Sequence, residues 1–267
     1  MIESVLHDYI EQFRDPALLK GLMQAGAAAV LAVVVIGLAR LRRLALEKEL
    51  AVAIVRGFVQ IVVMGSIVGI LLHVDLIWSI FILLFMMGGA SIISKSRGKG
   101  LPGVFQVSFF AIVFGSGIVI ITMTLAGAIE ANVRNLVPIG SLIIAQSMQI
   151  NSLALNRLKS EIRENRSQIE VGLSLGAPPG SVISRYIETG VHASLIPVVD
   201  SLKSLGWVWI PGIMAGMILA GENPVYAGFY QFVIMMMVFG AGGITSMTSS
   251  LLIGKYIFTD AEQLRRI

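Results

Sequence analysis

The sequence predicts an all-α, polytopic membrane protein with about seven transmembrane helices and one cytoplasmic helix-turn-helix. Hydrophobic residues make up 56% of its 267 positions and charged residues only 13%, a balance far more apolar than that of soluble globular domains. Apolar stretches recur at the length that crosses about 30 Å of hydrocarbon. One long polar segment, 156–203, interrupts them, and function is therefore expected to centre on it.

The first segment, 1–20, predicts an amphipathic helix that lies on the membrane surface. Apolar residues recur at helical spacing from Ile2 to Phe13, and charged residues fill the other faces, as in interfacial helices. Its mixed charges, and the lack of an apolar core before a small-residue cleavage site, argue against a signal peptide.

The transmembrane helices are predicted in two blocks, five within 21–155 and two within 204–254. The apolar stretches are 21–39, 53–73, 76–94, 104–126, 136–155, 205–221 and 227–254. The sixth is the weakest, because Pro197, Asp200 and Lys203 precede it and Pro211 interrupts it. Residues 255–267 remain as a C-terminal tail.

The distribution of basic residues predicts the orientation in the membrane. Most of the 20 Lys and Arg residues fall in the segments 40–56, 94–103, 156–190 and 254–267, and cytoplasmic loops carry the excess of such residues. Because the chain is predicted to cross the cell (inner) membrane an odd number of times, the N-terminus then lies outside and the C-terminus in the cytoplasm. The polar segment is predicted on the cytoplasmic side.

The polar segment has the pattern of a helix, a tight turn and a second helix. From Leu155 to Ile162 the apolar residues keep helical spacing, so the fifth transmembrane helix is expected to continue into water. It should stop near Gly176, which can take the left-handed cap conformation, and Pro178-Pro179 can open the next helix. A second apolar stripe starts at Val182. Such a unit at a membrane surface has the shape of a docking site.

The fifth span carries a polar stripe with two open interpretations. At about 100° per residue, one helical arc contains Ser141, Met148, Gln149, Ser152 and Asn156, with Gln146 at its margin. Polar residues in a bundle either line a solute path or hydrogen-bond to neighbouring helices. The sequence favours neither.

The other candidates for a path or a gate lie on other segments. Asp200 and Lys203 are three residues apart, so they can pair on one helical face, either as a structural ion pair or as a gate. In the second span, Arg56 is interpreted as an interfacial anchor and Gln60, one turn away, as a pathway candidate. Met214 belongs to a methionine-rich region that either packs the bundle or binds a soft cation. The metal ligands stay unknown.

Missing motifs argue against several classes of function. The sequence has no cysteine and 3 histidines, which excludes disulfides and thiolate metal sites and argues against a histidine-rich one. No G-x-x-x-x-G-K-[ST], H-E-x-x-H or G-x-S-x-G occurs. Catalysis by this chain and nucleic-acid binding are therefore not expected, and the sequence predicts a transporter or a scaffold for transport.

The turn at the centre of the polar segment resembles a known motif. Glu170, Leu173 and Leu175-Gly176-Ala177 followed by proline resemble the coupling helix of bacterial ABC transporter permeases, which fits a groove on the ATPase subunit. A wider pattern resembles the FetB-like family of iron-export ABC transporter permeases, with plant relatives linked to aluminium tolerance. That pattern comprises Leu46-Glu47-Lys48-Glu49, Arg56 with Gln60, Pro138-Ile139-Gly140, Ser174-Leu175-Gly176-Ala177-Pro178, Leu195-Ile196-Pro197, Val199-Asp200-Ser201 with Lys203, Pro211-Gly212, Met214, Gly216, Ile218, Ala220-Gly221 and Pro224-Val225.

The resemblance implies a permease that dimerises and is driven by a separate FetA-like ATPase, in an A2B2 assembly. It implies export of iron or another metal species, with ATP and magnesium bound by the partner and no cofactor in this chain. The residues implied to contact the ATPase are Glu170, Ser174, Leu175, Gly176, Ala177 and Pro178, in a coupling region spanning 156–203. Asp200 and Lys203 are implied to link this turn to the transport path.

Two other functions stay open on the residues alone. A secondary transporter would need no ATPase, and paired repeats with broken helices would favour it, but the sequence shows no convincing internal repeat. A membrane assembly factor would not transport, and the polar stripe would then only hold helices together. Transport measured with and without the ATPase separates these functions from ATP-driven export.

Overall fold

The computed structural model describes residues 16–42, 47–71, 76–259 and 261–265. In this part of the chain every regular element is an α-helix, and only isolated β-bridges occur beside them. The predicted all-α fold is therefore confirmed. Most of the predicted amphipathic segment lies outside the described residues, which begin with a helix at Pro16.

The chain divides into two compact units, Met1–Val74 and Asp75–Ile267. In the first unit, α1 (Pro16–Leu41) and α2 (Glu47–Leu71) contact each other. Nearly all of their described side chains are exposed and most of these are apolar, as expected of helices whose surface faces lipid. The two helices match the first two predicted spans, except that residues 72–73 are outside the described ranges.

The second unit is a bundle built around its last helix. Its described residues form α3 (Leu76–Arg97), α4 (Val104–Leu125), α5 (Val133–Glu164), α6 (Arg166–Ser174), α7 (Pro179–Ser204), α8 (Gly212–Leu219) and α9 (Pro224–Tyr256). The last helix packs against α4, α5, α7 and α8, and α5 packs against α3, α4 and α7. With 33 residues, α9 is about 50 Å long, longer than the hydrocarbon core alone requires.

Five helices among the described residues are long and apolar enough to cross a membrane. They comprise Leu19–Leu41 within α1, together with α3, α4, α5 and α9. Their positions match the first, third, fourth, fifth and seventh predicted spans, and the chain is a multi-pass membrane protein. The total of seven crossings stays a prediction.

The stretch predicted as the sixth span is not one helix. It contains α8, whose 8 residues measure about 12 Å, too short to cross a bilayer. Before α8 the backbone turns at Gly206, which has φ +81° and donates its N–H to the carbonyl of Trp209 at 3.1 Å. Pro211, which has no N–H to donate, then caps the start of α8. The apolar composition of 205–221 therefore conceals a turn and a short helix.

The long helix predicted to run from the fifth span to Gly176 is broken at Asn165. Asn165 has φ −106° and ψ 21°, and its side-chain amide donates to the carbonyl of Glu161 at 2.9 Å. Such local bonds compete with helical ones, which is why asparagine interrupts helices. The helix resumes as α6, which ends at Ser174, close to Gly176 as predicted.

Two large apolar clusters, and a small third one of Ile150, Val198 and Val238, form the described core of the second unit. The first joins the middle of α3, α4, α5 and α9 through side chains such as Ile112, Ile143 and Ile234. The second joins the ends of α5 and α9 to α6 and α7, and includes the fully buried Leu158 and Ile169. This second cluster positions the predicted docking region, because it fixes α6 and α7 to the bundle.

Candidate functional site

The turn between α6 and α7, residues 170–178, is closed by backbone hydrogen bonds. Gly176 has φ +83°, and its N–H donates to the carbonyl of Leu173 at 3.0 Å. The N–H of Ala177 reaches the carbonyl of Gly172 at 3.1 Å. This pair of bonds is the Schellman cap, which requires a left-handed residue where Gly176 stands. Pro178 then adopts an extended backbone and Pro179 opens α7.

Buried side chains hold this α6–α7 turn against the bundle. Ile169 is fully buried on α6, and Ile183 is buried on α7. Both belong to the second core cluster, with Leu173 and Val182 packed against it. At Gly172, a Cβ atom would lie 3.3 Å from a methyl group of Val182, so the two helices approach closely there. The turn is therefore a fixed projection of the bundle.

The outward face of the α6–α7 turn combines polar groups with two exposed apolar side chains, Val171 and Leu175. Glu170 is ion-paired with Arg166 on the same helix at 2.8 Å, and Ser174 Oγ donates to the carbonyl of Glu170 at 2.8 Å. Leu175 is 82% exposed. Gly176 and Pro178 are also exposed, and Ala177 is partly buried. The structure therefore brings all six predicted docking residues together on one accessible turn.

A C-terminal segment that the sequence predicts only as a tail also lies at this turn. Residues 257–265, described apart from residue 260, fold back so that the N–H of Arg265 donates to the carbonyl of Ile257 at 2.9 Å. Ile257 is fully buried and Leu264 packs against the second core cluster. An exposed tail has no need of such apolar residues, so their presence beside a polar stretch is the sequence signal that this segment packs against the bundle.

A cleft of about 440 Å³ separates this C-terminal segment from the α6–α7 turn. Its walls are Glu170, Leu173, Ser174, Gly176 and Ala177 on one side and Ala261, Glu262, Gln263 and Leu264 on the other. Four of the six predicted docking residues therefore line a concave surface. Concave surfaces of this kind can receive a projecting element of another protein.

The predicted polar stripe of α5 does not face one common space. Gln149 and Asn156 are exposed, whereas Met148 packs against the first core cluster. The hydroxyls of Ser152 and Ser94 are 3.1 Å apart, and Ser141 donates to its own helix. Gln146 lines a cavity described below. A helical arc identifies neighbours on one helix, but it does not show which part of that arc other helices cover.

A buried polar network that the sequence analysis missed joins α4, α5 and α9. Ser116 donates to Ser147 at 3.0 Å. Asn151 donates to Ser108 at 3.0 Å and accepts a hydrogen bond from Ser249. All five residues are fully buried. The i, i+4 spacing of Ser147 and Asn151 is a sequence signal for one polar face, and here that face holds helices together.

None of the remaining pathway candidates forms a hydrogen bond within this network. Asp200 and Lys203 pair at 3.8 Å, but both side chains are mostly exposed, where such a pair contributes little to stability. Gln60 is exposed on α2 in the first unit. Met214 is partly buried on α8, and its terminal methyl group lies 3.8 Å from where a Cβ of Gly228 would stand, a packing contact between α8 and α9.

A second cavity, of about 440 Å³, lies between α5, α7, α8 and α9. Gln146, Ser201, Trp209 and Gln231 contribute its polar walls, and Met235 is among the apolar ones. Gln231 was not among the predicted site residues. Within the part of the chain that the structure describes, no group of three or more His, Cys, Asp or Glu residues could hold a metal ion.

Comparison with known proteins gives one family and several relatives across nearly the whole chain. The family described as "Uncharacterised protein family (UPF0014)" matches residues 22–258. The "Probable iron export permease protein FetB" of Escherichia coli (strain K12) is 31% identical, over 89% of this chain and 92% of its own length. The "UPF0014 membrane protein YjkA" of Bacillus subtilis (strain 168) is 30% identical, over 82% and 88%.

A plant relative has a similar extent. The "Protein ALUMINUM SENSITIVE 3" of Arabidopsis thaliana is 29% identical, over 92% of this chain and 91% of its own length. No solved structure matches the chain.

Proposed function

The chain belongs to the UPF0014 family, and from that membership we propose that it is the permease subunit of an ATP-driven exporter for iron or another metal species. The resemblance to FetB-like permeases and their plant relatives, inferred from the sequence, is confirmed. The chain is accordingly a polytopic membrane permease. The metal cargo is proposed from the printed name of the Escherichia coli relative.

The observation that carries the ATPase part of the proposal is the exposed Leu175 on a rigid turn. Its side chain is 82% exposed, although the turn beneath it is capped and anchored by buried residues. Val171, one helical turn earlier, is also 58% exposed, and apolar surface that extends over more than one exposed side chain favours a protein contact. A groove on a separate ATPase subunit is the occupant that the coupling-helix pattern at Glu170–Pro178 suggests.

The packing of α7 supports a mechanical link between this turn and the membrane-spanning bundle. A Cβ at Gly190 would lie 3.2 Å from the carbonyl oxygen of Ala154 on α5. A Cβ at Gly254 on α9 would lie 2.9 Å from Ile183 and Ile187 on α7. Because glycines permit this close approach, a displacement of the turn is transmitted along α7 to α5 and α9.

In the proposed cycle, ATP and magnesium bind the partner subunits and draw two permease copies together through the α6–α7 turns. The permease then alternates between inward-open and outward-open states, whose populations the nucleotide shifts. This chain supplies no cofactor and no catalytic group to the cycle. The α6–α7 turn and the C-terminus lie in the cytoplasm, and the N-terminus lies outside the inner membrane. This orientation needs α7, whose 26 residues are about 39 Å long, to cross the membrane in place of the short α8.

The proposal is tested by Leu175→Glu in vesicles that contain both subunits. A charge in place of the exposed leucine removes an apolar anchor, and loss of such an anchor commonly weakens an interface by tenfold or more. We expect the permease-stimulated ATP hydrolysis to fall at least about tenfold. Leu219→Glu is the matched control, because Leu219 is 89% exposed at the end of α8, away from the turn.

Normal ATP hydrolysis by the Leu175→Glu protein would count against docking at this turn. Cargo movement that is unchanged when the ATPase is omitted would instead indicate a secondary transporter. An assembly factor would move no cargo under either condition.

A further inference from the structure

The cavity between α5, α7, α8 and α9 has the size of a small-molecule site. Its volume of about 440 Å³ lies within the range of roughly 300–1,000 Å³ that ligand pockets occupy. A single water molecule takes about 30 Å³ of liquid volume, so the space exceeds the need of one bridging water. Ile234, Met235 and Val238 on α9 supply buried apolar walls.

Gln231 brings a side-chain amide to the wall of this cavity. Its side chain is only 4% exposed, and its Oε1 atom has no hydrogen-bond partner among the described residues. Buried polar groups in folded proteins are nearly always paired, so an amide with an unpaired atom at a cavity wall has the property of a group kept for a ligand. Gln146 and Ser201 line the same cavity. Ser201 donates its hydroxyl hydrogen to the carbonyl of Pro197 at 2.8 Å, which leaves its oxygen able to accept.

The charge of the lining excludes a bare cation as the favoured occupant. None of the residues that line the cavity is charged, and none is a histidine. An ion moved from water to such a place loses its hydration without gaining an opposite charge. A solute without net charge avoids this cost.

We propose that this cavity binds a compact, uncharged solute that forms hydrogen bonds with the side-chain amide of Gln231. Gln146 and Ser201 accept further hydrogen bonds, and the α9 residues contact the apolar part of the solute. The proposal rests on the proposed transport function for its meaning in the cell. A metal cargo then enters this site as a neutral chelate, and not as a free ion.

The test measures binding to the full chain in nanodiscs, without the ATPase. The probe is tris(acetohydroxamato)iron(III), which is uncharged and carries N–H groups, and manganese(II) chloride is the charged comparison. Equilibrium dialysis with metal analysis gives the affinity of each. We expect saturable binding of the neutral chelate only, and an affinity about five- to tenfold lower in Gln231→Leu, because one hydrogen bond to the solute is lost.

Two controls separate a binding role of Gln231 from a structural one. Gln149→Leu makes the same chemical change at an exposed position of α5 and should leave the affinity unchanged. The melting temperature of Gln231→Leu should not fall, because the replaced amide has no hydrogen-bond partner among the described residues.

Several results would overturn the site. These are no binding of the neutral chelate to the unsubstituted chain, equal binding to the chain with and without Gln231→Leu, or tighter binding of manganese(II). If the cavity holds only water, the neutral chelate does not bind to the unsubstituted chain. Normal ATPase stimulation in Leu175→Glu together with intact chelate binding would remove the coupling proposal and leave this site standing.

Discussion

Gly176 is the single residue on which the geometry of the α6–α7 turn depends most. Its φ of +83° lies in the left-handed region, and a Cβ at this position would meet nothing within 4 Å. The need for glycine is therefore conformational and not steric. The sequence could indicate this cap because glycine followed by two prolines is a local signal.

Substitution of Gly176 by alanine should distort this turn without filling any space. We expect the free energy of unfolding to fall by about 1–2 kcal/mol, the usual cost of a left-handed L-residue. ATP hydrolysis stimulated by the permease should fall with it. Chemical denaturation in detergent, together with an ATPase assay, measures both effects.

Gly180→Ala is the matched control for that change. Gly180 lies at the start of α7, has no positive φ, and also has open space around its Cβ position. Alanine there should leave stability unchanged or raise it slightly. Equal loss of stability in the two variants would contradict the conformational role of Gly176.

The structural role of Asn151 could not be predicted from the sequence. Its amide bridges Ser108 on α4 and Ser249 on α9, residues far from it in the chain. A sequence records which side chains share a helical face, but not which partners the bundle brings to that face. The buried network could therefore not be distinguished from a solute-facing stripe.

Asn151→Ala should destabilise the bundle because the buried hydroxyls of Ser108 and Ser249 each lose a hydrogen-bond partner. We expect a loss of about 1–3 kcal/mol in the free energy of unfolding. Asn156→Ala, at an exposed position of the same helix, should change stability by less than about 0.5 kcal/mol. A stability loss of the same size in both variants would argue against the network.

At the scale of elements, close contact between α4 and α9 holds the bundle together. A Cβ at Gly115 on α4 would lie 2.8 Å from the backbone nitrogen of Thr245 and 2.9 Å from the carbonyl oxygen of Ala241. Backbone atoms of a packed helix cannot move aside cheaply. The sequence shows such glycines but does not show which of them face another helix.

Gly115→Ala should therefore separate α4 from α9. We expect a destabilisation of about 1–3 kcal/mol, the usual cost of overpacking, measured by unfolding in detergent. Gly117→Ala is the control on the same helix, because its Cβ would meet nothing within 4 Å and alanine favours a helix. A stable Gly115→Ala protein would contradict the tight packing of these two helices.

Apolar length predicted most of the helices, and it failed where short-range signals overrode it. The helices α3, α4 and α9 lie within a few residues of their predicted positions, because a long apolar stretch must be helical in lipid. The stretch 205–221 is equally apolar, but Gly206 and Pro211 divide it. Hydropathy averaged over a window cannot register a turn made by two residues.

At the scale of the whole molecule, the proposed energy input lies at one end of the bundle and the proposed solute site lies within it. The second core cluster fixes the α6–α7 turn, and α7 runs from that turn to the cavity that contains Gln231. The family and the polar segment could be predicted from the sequence, because local motifs carry both. The C-terminal fold-back could not, because its contacts depend on the arrangement of α6 and α9.

The most direct test of the central claim is the labelling of a single cysteine at Leu175. The natural chain contains no cysteine, so Leu175→Cys reacts without background. A membrane-impermeant maleimide is applied to intact cells and to inside-out vesicles, the latter with and without the ATPase subunit. We expect no labelling of intact cells, rapid labelling of vesicles, and at least about tenfold slower labelling when the ATPase is bound. Labelling of intact cells, or a rate in vesicles that the ATPase leaves unchanged, would contradict the claim.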